Sequence, residues 1–179
     1  MDVKTLCLGV LSRGDCSGYE IRKAFEEGPF AHFQDAGFGS IYPALKKLTD
    51  DAAVTCVEQT QEGRPDKKVY RLTSTGRQML FDAVNAKPGE DKLRSDFLFI
   101  LFFAELLPPR DLDRLIDERI AYHRGELTCM AKVAGMDLAP GERFTLGYGR
   151  AYHEAALTYL EDHRHELVGT LLSRPQVAE

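Results

Sequence analysis

A chain of 179 residues with 44% hydrophobic and 28% charged residues has the composition of a folded globular protein, which excludes a disordered or fibrous class. The net charge of −5 does not exclude nucleic acid, because residues 1–87 hold 12 Lys or Arg and 12 Asp or Glu, whereas residues 88–179 hold 11 and 16. Phosphate binding depends on charges within about one Debye length, ~8 Å at physiological salt, so the neutral first part can still present a basic surface.

The usual sequence marks of export, membrane insertion and catalysis are missing. The longest apolar run, Phe97 to Ala104, is far shorter than the ~20 residues of a membrane span, and the N-terminus has no signal-peptide pattern. We therefore expect a cytoplasmic protein without a membrane partner. Neither a phosphate-binding glycine loop nor a nucleophile elbow or HExxH motif is present, so we expect no enzyme activity and no cofactor. The four cysteines lack CxxC spacing and are expected to be buried apolar side chains, with redox sensing or metal binding as the alternatives.

Two short helices are predicted at the start of the chain. Asp2 can cap the first helix, whose buried face consists of Val3, Leu6, Cys7, Val10 and Leu11. Ser17 is the predicted N-cap of the second helix, and Glu20, three residues later, completes a capping box. This helix buries Ile21, Ala24 and Phe25 and is expected to end near residues 28–29.

A third helix divides into an aliphatic and a polar side. We expect Ser40 to be its N-cap and Pro43 to lie in its first turn, where a missing N–H leaves no helical bond unmade. The predicted buried side consists of Ile41, Ala44, Leu45 and Leu48. The opposite side carries Ser40, Pro43, Lys46, Lys47 and Asp50, with Tyr42 at the margin. Two ammonium groups, a hydroxyl and a phenol suit the phosphates and base edges of a DNA major groove.

A β-hairpin and a fourth helix follow. Residues 54–58 and 68–72 are rich in β-formers, and residues 59–67 between them, with Gly63 and Pro65, predict a long hairpin tip. The tip and second strand carry Arg64, Lys67, Lys68 and Arg71. Thr73 is the predicted cap of a helix over residues 74–84 that buries Met79 and Leu80, with Val84 as a further candidate.

Three helices followed by a basic hairpin form the winged helix-turn-helix layout, in which the third helix enters the major groove and the hairpin lies on phosphate. The alternative is a winged-helix module that docks on a protein partner without direct DNA readout. Salt dependence separates the two, since phosphate-led binding weakens linearly in log salt.

Four motifs in residues 1–80 support the DNA-binding interpretation. They are Gly18-Tyr19-Glu20-Ile21, the run from Gly39 to Leu48 that begins Gly-Ser-Ile-Tyr-Pro-Ala-Leu, Gly63-Arg64-Pro65, and Lys68-Val69-Tyr70-Arg71-Leu72-Thr73 with Gly76. Together they resemble the signature of PadR-type transcriptional regulators. The resemblance implies a bacterial homodimer that binds a palindromic operator, commonly as a repressor, and is released by a small aromatic or otherwise toxic molecule.

The resemblance also assigns residues. It implies DNA contacts from Ser40, Tyr42, Pro43 and Lys46 in the third helix and from Arg64, Lys67 and Lys68 in the wing, and Lys47 lies on the same predicted outward face. One departure is Ala52, where related sequences usually have glycine after the third helix. Alanine tolerates a left-handed cap poorly, so we expect a looser turn into the wing or a helix that runs on.

Residues 88–179 are predicted to form a three-helix dimerisation and effector domain, separated from the domain of residues 1–87 by a polar Pro-Gly linker. The expected helices cover residues 92–107, 111–134 and 144–172. The last helix carries a stripe formed by Tyr148, Tyr152, Ala155, Tyr159, His163 and Leu167. We expect this stripe and part of the Phe-rich helix to pack against a second subunit, the alternative being packing within one subunit.

The second half also offers candidate ligand sites. Aromatic side chains between helices can line an effector cavity, and the candidates are Phe99, Phe103, Tyr148, Tyr152 and Tyr159. A metal site is a weaker candidate, for which the possible ligands are His153, His163 and His165 with Glu154, Glu161 or Asp162. His163 and His165 point about 200° apart on a helix and suit one ion poorly. His163 and Glu166 share a face, but the next position on that face is Leu167. We therefore expect no metal.

Overall fold

The computed structural model describes residues 2–27, 30, 38–61, 64–91 and 93–172. The chain divides into two compact units, Met1–Lys92 and Leu93–Glu179. The first contains helices α1 (Val3–Leu11), α2 (Gly18–Glu27), α3 (Phe38–Asp50) and α4 (Ser74–Asn85) and strands β1 (Cys16–Ser17), β2 (Val54–Gln61) and β3 (Arg64–Leu72). The second contains α5 (Asp96–Phe102), a 3-10 turn (Ala104–Leu106), α6 (Pro109–Ala134) and α7 (Pro140–Leu172). The predicted fold class, mainly helical with a small β wing and C-terminal helices, is confirmed.

Side-chain caps begin three helices of the first unit, as the sequence predicts. The Asp2 carboxylate accepts a hydrogen bond from the Thr5 N–H at 2.9 Å. The capping box of α2 is closed, with the Ser17 N–H donating to Glu20 Oε2 at 2.7 Å and the Glu20 N–H donating to Ser17 Oγ at 3.3 Å. Thr73 Oγ1 accepts from the Gly76 N–H at 3.1 Å. Each cap satisfies donors that a helix start leaves without a partner.

One apolar core holds the first unit together. Cys7 of α1, Ile21 of α2 and Leu45 and Leu48 of α3 are fully buried, and Val54 and Leu72 bring the two long strands onto the same cluster. Met79 and Leu80 of α4 pack against it as predicted, whereas Val84 is exposed. α3 is thereby fixed across α1 and α2 with its other side outward.

The sheet has three strands in the order β1-β3-β2, all antiparallel. Pairing from Val54↔Leu72 to Gln59↔Lys67, with an irregularity before Gln61↔Arg64, carries the hairpin further out than predicted. The predicted long tip over residues 59–67 is therefore wrong, because β-pairing continues through most of it. β1 was not predicted, since a two-residue strand has no periodicity of its own.

The boundaries of α3 differ from the prediction at both ends. The helix begins at Phe38, so Ser40 lies within its first turn rather than at the cap, and Pro43 lies in the second turn, where it leaves the Gly39 carbonyl without its usual helical donor. At the other end Ala52 has φ of +53°.

The turn after α3 is a Schellman motif built on alanine. The Ala53 N–H donates to the Leu48 carbonyl at 2.9 Å, and the Ala52 N–H donates to the Thr49 carbonyl at 3.0 Å. The expectation of a looser turn or a longer helix is therefore wrong. Alanine takes the left-handed position, and the two hydrogen bonds hold the turn closed.

The second unit is built on an antiparallel pair of long helices, α6 and α7. Leu112, Ile116 and Ile120 of α6 are buried, and the partly buried residues of α7 that pack on their cluster are Leu157, Leu160, Leu167 and Val168. Arg164 of α7 bonds to both Asp113 and Asp117 of α6 across the pair. No helix of the described residues has the length and apolarity to cross a bilayer.

The Phe-rich segment forms a shorter helix than predicted. α5 covers Asp96–Phe102 instead of residues 92–107, because Ser95 caps its start and the chain tightens into a 3-10 turn from Ala104. α6 and α7 begin two and four residues before their predicted starts.

Candidate nucleic-acid interface

α3 separates its aliphatic and polar residues as the sequence predicts. Its core-facing residues, Ile41, Ala44, Leu45 and Leu48, are all buried. On the other side Pro43, Lys46, Lys47 and Asp50 are exposed, Tyr42 is 51% exposed, and Ser40 is half-buried. The structure therefore brings the predicted polar residues of α3 onto one accessible face.

The two lysines of this face differ in their electrostatic surroundings. Lys47 Nζ lies 2.8 Å from Asp51 Oδ1, four residues later on the helix, and this hydrogen bond raises the pKa of Lys47. Lys46 forms no ion pair within the described part of the chain. The ammonium group of Lys46 is therefore the one of the two that an incoming phosphate can engage without displacing a carboxylate.

Tyr42 is held in place by α2. A Cβ atom added to Gly18, the first residue of α2, would lie 2.8 Å from Cε1 of the Tyr42 ring. The ring thus fits against a glycine backbone on one side and remains about half exposed on the other. Tyr42 packs between two helices and is also part of the accessible face.

The wing lysines lie on paired strands and contact acidic residues. Lys67 Nζ lies 3.1 Å from Glu20 Oε1, the carboxylate oxygen of the α2 capping box that Ser17 does not use. Lys68 Nζ lies 3.5 Å from Glu58 Oε1 on the neighbouring strand. The ion pair with Glu20 positions Lys67 against α2, whereas Lys68 and Glu58 form an exposed ion pair within the hairpin. Arg64 is the first residue of β3, and its side chain lies outside the described residues.

Glu20 links the helix start to the wing. Hydrogen bonds from the Ser17 backbone and side chain, and then from Lys67, lower the pKa of Glu20 to about 2. The carboxylate is therefore ionised at neutral pH and can accept all three bonds. This link between α2 and β3 was not predicted, because the two residues are 47 positions apart.

The predicted ligand residues of the second unit lie on its surface. Phe99 and Phe103 of α5 meet edge to face with ring centroids 5.3 Å apart. Tyr148, Tyr152 and Tyr159 are exposed along α7, and Tyr159 stacks on His163 at 4.3 Å. Among the described rings, neither phenylalanine contacts any of the three tyrosines. Ring contacts among the described residues therefore do not join the two phenylalanines and the three tyrosines into one ligand site.

The cysteines are free thiols of unequal burial. Burial is the main cause that raises the pKa of Cys7 to about 12 and that of Cys16 to about 11, so both thiols stay protonated at neutral pH. Cys7 is buried as predicted, Cys16 and Cys56 are half-buried, and Cys129 is exposed, which makes the prediction wrong for Cys129. No cluster of three or more potential metal ligands occurs among the residues that the structure describes.

Comparison with known proteins assigns both units. The family described as "Transcriptional regulator PadR-like family" matches residues 7–82, and "Virulence activator alpha C-term" matches residues 93–167. The "Negative transcriptional regulator PadR" of Bacillus subtilis is 31% identical over 127 residues, which cover 70% of this chain and 69% of that protein.

Solved structures share the fold over nearly the whole chain. The protein smu.1604c of Streptococcus mutans has a TM-score of 0.83 and 32% identity over 91% of this chain and 98% of its own. Bacillus subtilis PadR in complex with operator DNA has a TM-score of 0.72 and 26% identity, covering 94% and 98%. The same protein in complex with p-coumaric acid has a TM-score of 0.66 and 26% identity, covering 96% and 99%. The chain therefore belongs to the PadR-like family, whose members are winged-helix transcriptional regulators rather than enzymes.

Proposed function

We propose that the protein is a ligand-responsive repressor that acts in the cytoplasm and binds a palindromic operator as a homodimer. The observation that carries the DNA-binding part is the exposed polar face of α3, on which Lys46 is accessible while Ile41, Leu45 and Leu48 are buried. A winged helix binds DNA through this helix and its hairpin. Its relative from Bacillus subtilis has been crystallised with operator DNA, which supports the same use here.

The contacts follow from the chemistry of the interface. Lys46, Lys47 and the wing residues Arg64, Lys67 and Lys68 supply cations for phosphates. Ser40, Tyr42 and Pro43 offer a hydroxyl, a phenol and an apolar ring for base edges and for the thymine methyl group. In this proposal residues 1–87 form the DNA-binding domain and residues 88–179 the dimerisation and effector domain.

The dimer is proposed from the apolar surface of the second unit. We call the exposed residues Phe144, Tyr148 and Tyr152 of α7 the aromatic surface; they are four residues apart on one helix and 53–79% exposed in the single chain. Phe99 and Phe102 of α5 are further exposed apolar side chains of the same unit. Large exposed apolar patches mark interaction sites, and two-fold pairing buries the same patch on both copies. Two-fold symmetry would set two α3 helices about one DNA turn apart, roughly 34 Å, which matches a palindromic operator.

The effector is proposed to be a small aromatic molecule. Bacillus subtilis PadR binds p-coumaric acid, and that relative is a negative regulator. Phe99, Phe103, Tyr148, Tyr152 and Tyr159 are the candidate contacts in this chain, since aromatic rings can stack on such a ligand. A titration with p-coumaric acid should lower operator affinity; unchanged affinity with a panel of aromatic acids would argue against this part of the proposal.

A salt titration of operator binding tests the DNA assignment. Fluorescence anisotropy with DNA from the upstream region of the protein's own gene should show log affinity falling linearly with log salt, by about 0.9 per neutralised phosphate. Lys46→Ala should weaken binding and reduce the slope by about 1.8 for the proposed dimer, because each of its two copies loses one phosphate contact worth about 0.9. Lys132→Ala, which removes an exposed cation from α6, is the matched control and should leave both unchanged. If Lys46→Ala behaves like Lys132→Ala, the assignment of Lys46 to the interface is wrong. If the wild-type protein shows no salt-dependent DNA binding, a protein-docking winged helix becomes the better interpretation.

A further inference from the structure

Two histidines meet inside the α6–α7 pair. His123 of α6 and His153 of α7 are 4% and 5% exposed, and their Nδ1 atoms lie 2.9 Å apart. At this distance one Nδ1 carries a proton and donates a hydrogen bond to the other Nδ1, which must have a free lone pair. Two protonated Nδ1 atoms would place two donors face to face. The contact therefore requires at least one neutral ring.

The surroundings favour the neutral form of His123. Burial, the adjacent His153 and then Arg119 lower the pKa of His123 below its usual 6.5, while Glu126 of the same helix opposes them. The Arg119 guanidinium is held over the rings of Phe97 and Tyr122, at 4.6 and 5.2 Å from their centroids. On the α7 side, the ring of Tyr152 lies 5.1 Å from that of His153. A cation on the pair would thus be desolvated beside an existing cation.

We propose that the His123–His153 pair makes the α6–α7 helix pair a pH-sensitive element, fastened while the rings are neutral and loosened when both take up protons. In the unfolded chain both rings titrate near pH 6.5, whereas the folded pair accepts at most one proton without breaking its contact. Below pH 6.5 the unfolded state therefore binds more protons. Stability that is present above this pH is lost as the pH falls towards the lower folded pKa.

The pair also lies next to the aromatic surface. Tyr122 and Tyr152 have ring centroids 5.9 and 5.1 Å from that of His153, and both are about half exposed. Loosening the pair would disturb Tyr152 and with it the proposed dimer contact. This consequence rests on the proposed function, whereas the pH sensitivity of the helix pair does not.

Unfolding of the full chain between pH 5 and pH 8 tests the inference. As the pH is lowered below 6.5, the unfolding equilibrium constant of the second unit should rise by up to tenfold per pH unit for each extra proton that the unfolded state binds. The double variant His123→Gln, His153→Gln should flatten this dependence, because an amide–amide hydrogen bond does not titrate. The control His165→Gln removes an exposed histidine from α7 and should retain the pH dependence of the wild-type protein. Equal pH dependence in wild type and double variant would overturn the proposal.

A second measurement keeps the test valid if the double variant does not fold. Nitrogen-15 NMR of the histidine rings in the wild-type protein should show one Nδ1–H and one Nε2–H tautomer, with His123 becoming protonated only below pH 6.5. Two rings that both become protonated at or above pH 6.5 in the folded protein would refute the pair. Operator affinity at pH 8 is measured alongside: its absence there would refute the proposed function, while the unfolding and NMR data still decide the histidine pair.

Discussion

The carbonyl oxygen of Ala53 lies 2.1 Å from the position that a Cβ atom on Gly76 would occupy. The same oxygen accepts hydrogen bonds from the N–H and the hydroxyl of Thr73, the N-cap of α4, at 3.1 and 2.9 Å. The start of α4 is thus seated on the turn that follows α3, and only a residue without a side chain allows the approach. This contact sets where the hairpin leaves α3 and where it returns to α4.

Gly76→Ala should therefore destabilise the first unit by about 3 kcal/mol, since the added methyl group meets a fixed backbone oxygen and also a Leu72 methyl group at 2.7 Å. Urea unfolding followed by circular dichroism measures the change. Gly125→Ala is the control, because nothing lies within 4 Å of the added atom in the middle of α6, and it should stabilise the protein by about 0.5–1 kcal/mol. Equal effects of the two substitutions would contradict the contact.

Ala52→Gly should stabilise the protein by about 1 kcal/mol. Ala52 holds the left-handed position of the Schellman turn at φ of +53°, a conformation that costs an L-residue roughly 1–2 kcal/mol and glycine almost nothing. Thermal unfolding should show a higher midpoint. The control is Ala86→Gly at φ of −70°, where glycine gains nothing and should lower stability by some tenths of a kcal/mol. A midpoint that falls for both variants would show that Ala52 is not strained.

Features that depend on neighbouring residues could be predicted from the sequence. The caps at Asp2, Ser17 and Thr73 were found because each cap and its partner N–H are three residues apart. The two sides of α3 were found because helical periodicity alone assigns them.

Features that depend on distant residues could not be predicted. β1 exists only because Cys16 and Ser17 pair with Tyr70 and Val69, more than 50 positions later. The contact between His123 and His153 depends on the register between α6 and α7, which apolar spacing leaves open. The pairing of Lys67 with Glu20 likewise requires the fold to be known, so sequence reasoning placed Lys67 in a free hairpin tip.

Glu20 should make the first unit sensitive to acid. Its pKa is lowered from 4.5 to about 2, chiefly by the hydrogen bonds from Ser17, so its stabilising contribution is present above pH 4.5 and is lost as the pH falls towards 2. Glu20→Gln should therefore lose less stability than wild type between pH 7 and pH 3 in urea unfolding. Glu26→Gln removes another carboxylate of α2 and serves as the control. If Glu20→Gln loses as much stability between pH 7 and pH 3 as Glu26→Gln does, the capping box is not the source of the acid sensitivity.

Tyr148→Glu should weaken the proposed homodimer. Tyr148 is 71% exposed on α7, and a buried carboxylate at a symmetric contact would be placed close to its own copy. Sedimentation velocity should show a shift towards monomer. Operator affinity, measured by anisotropy, should also fall, because a dimer binds both half-sites of the operator at once. Ala131→Glu adds the same charge at an exposed non-aromatic position of α6 and should remain dimeric. A wild-type chain that sediments as a monomer at micromolar concentration would remove the dimer from the proposal.

Gly18→Ala should affect operator binding more than folding. The added Cβ would lie 2.8 Å from Cε1 of Tyr42, a ring that is half exposed and can rotate away, so unfolding should change by less than about 1 kcal/mol. The displaced ring would alter the face of α3 that the proposal places in the major groove. Anisotropy should therefore show weaker operator binding with an unchanged salt slope, because no cation is lost. Gly89→Ala, with open space around the added atom, is the control for the substitution itself. Unchanged operator affinity in Gly18→Ala would mean that the position of the Tyr42 ring does not matter for DNA binding, and Ser40 and Pro43 would then be left as the candidates for base contacts.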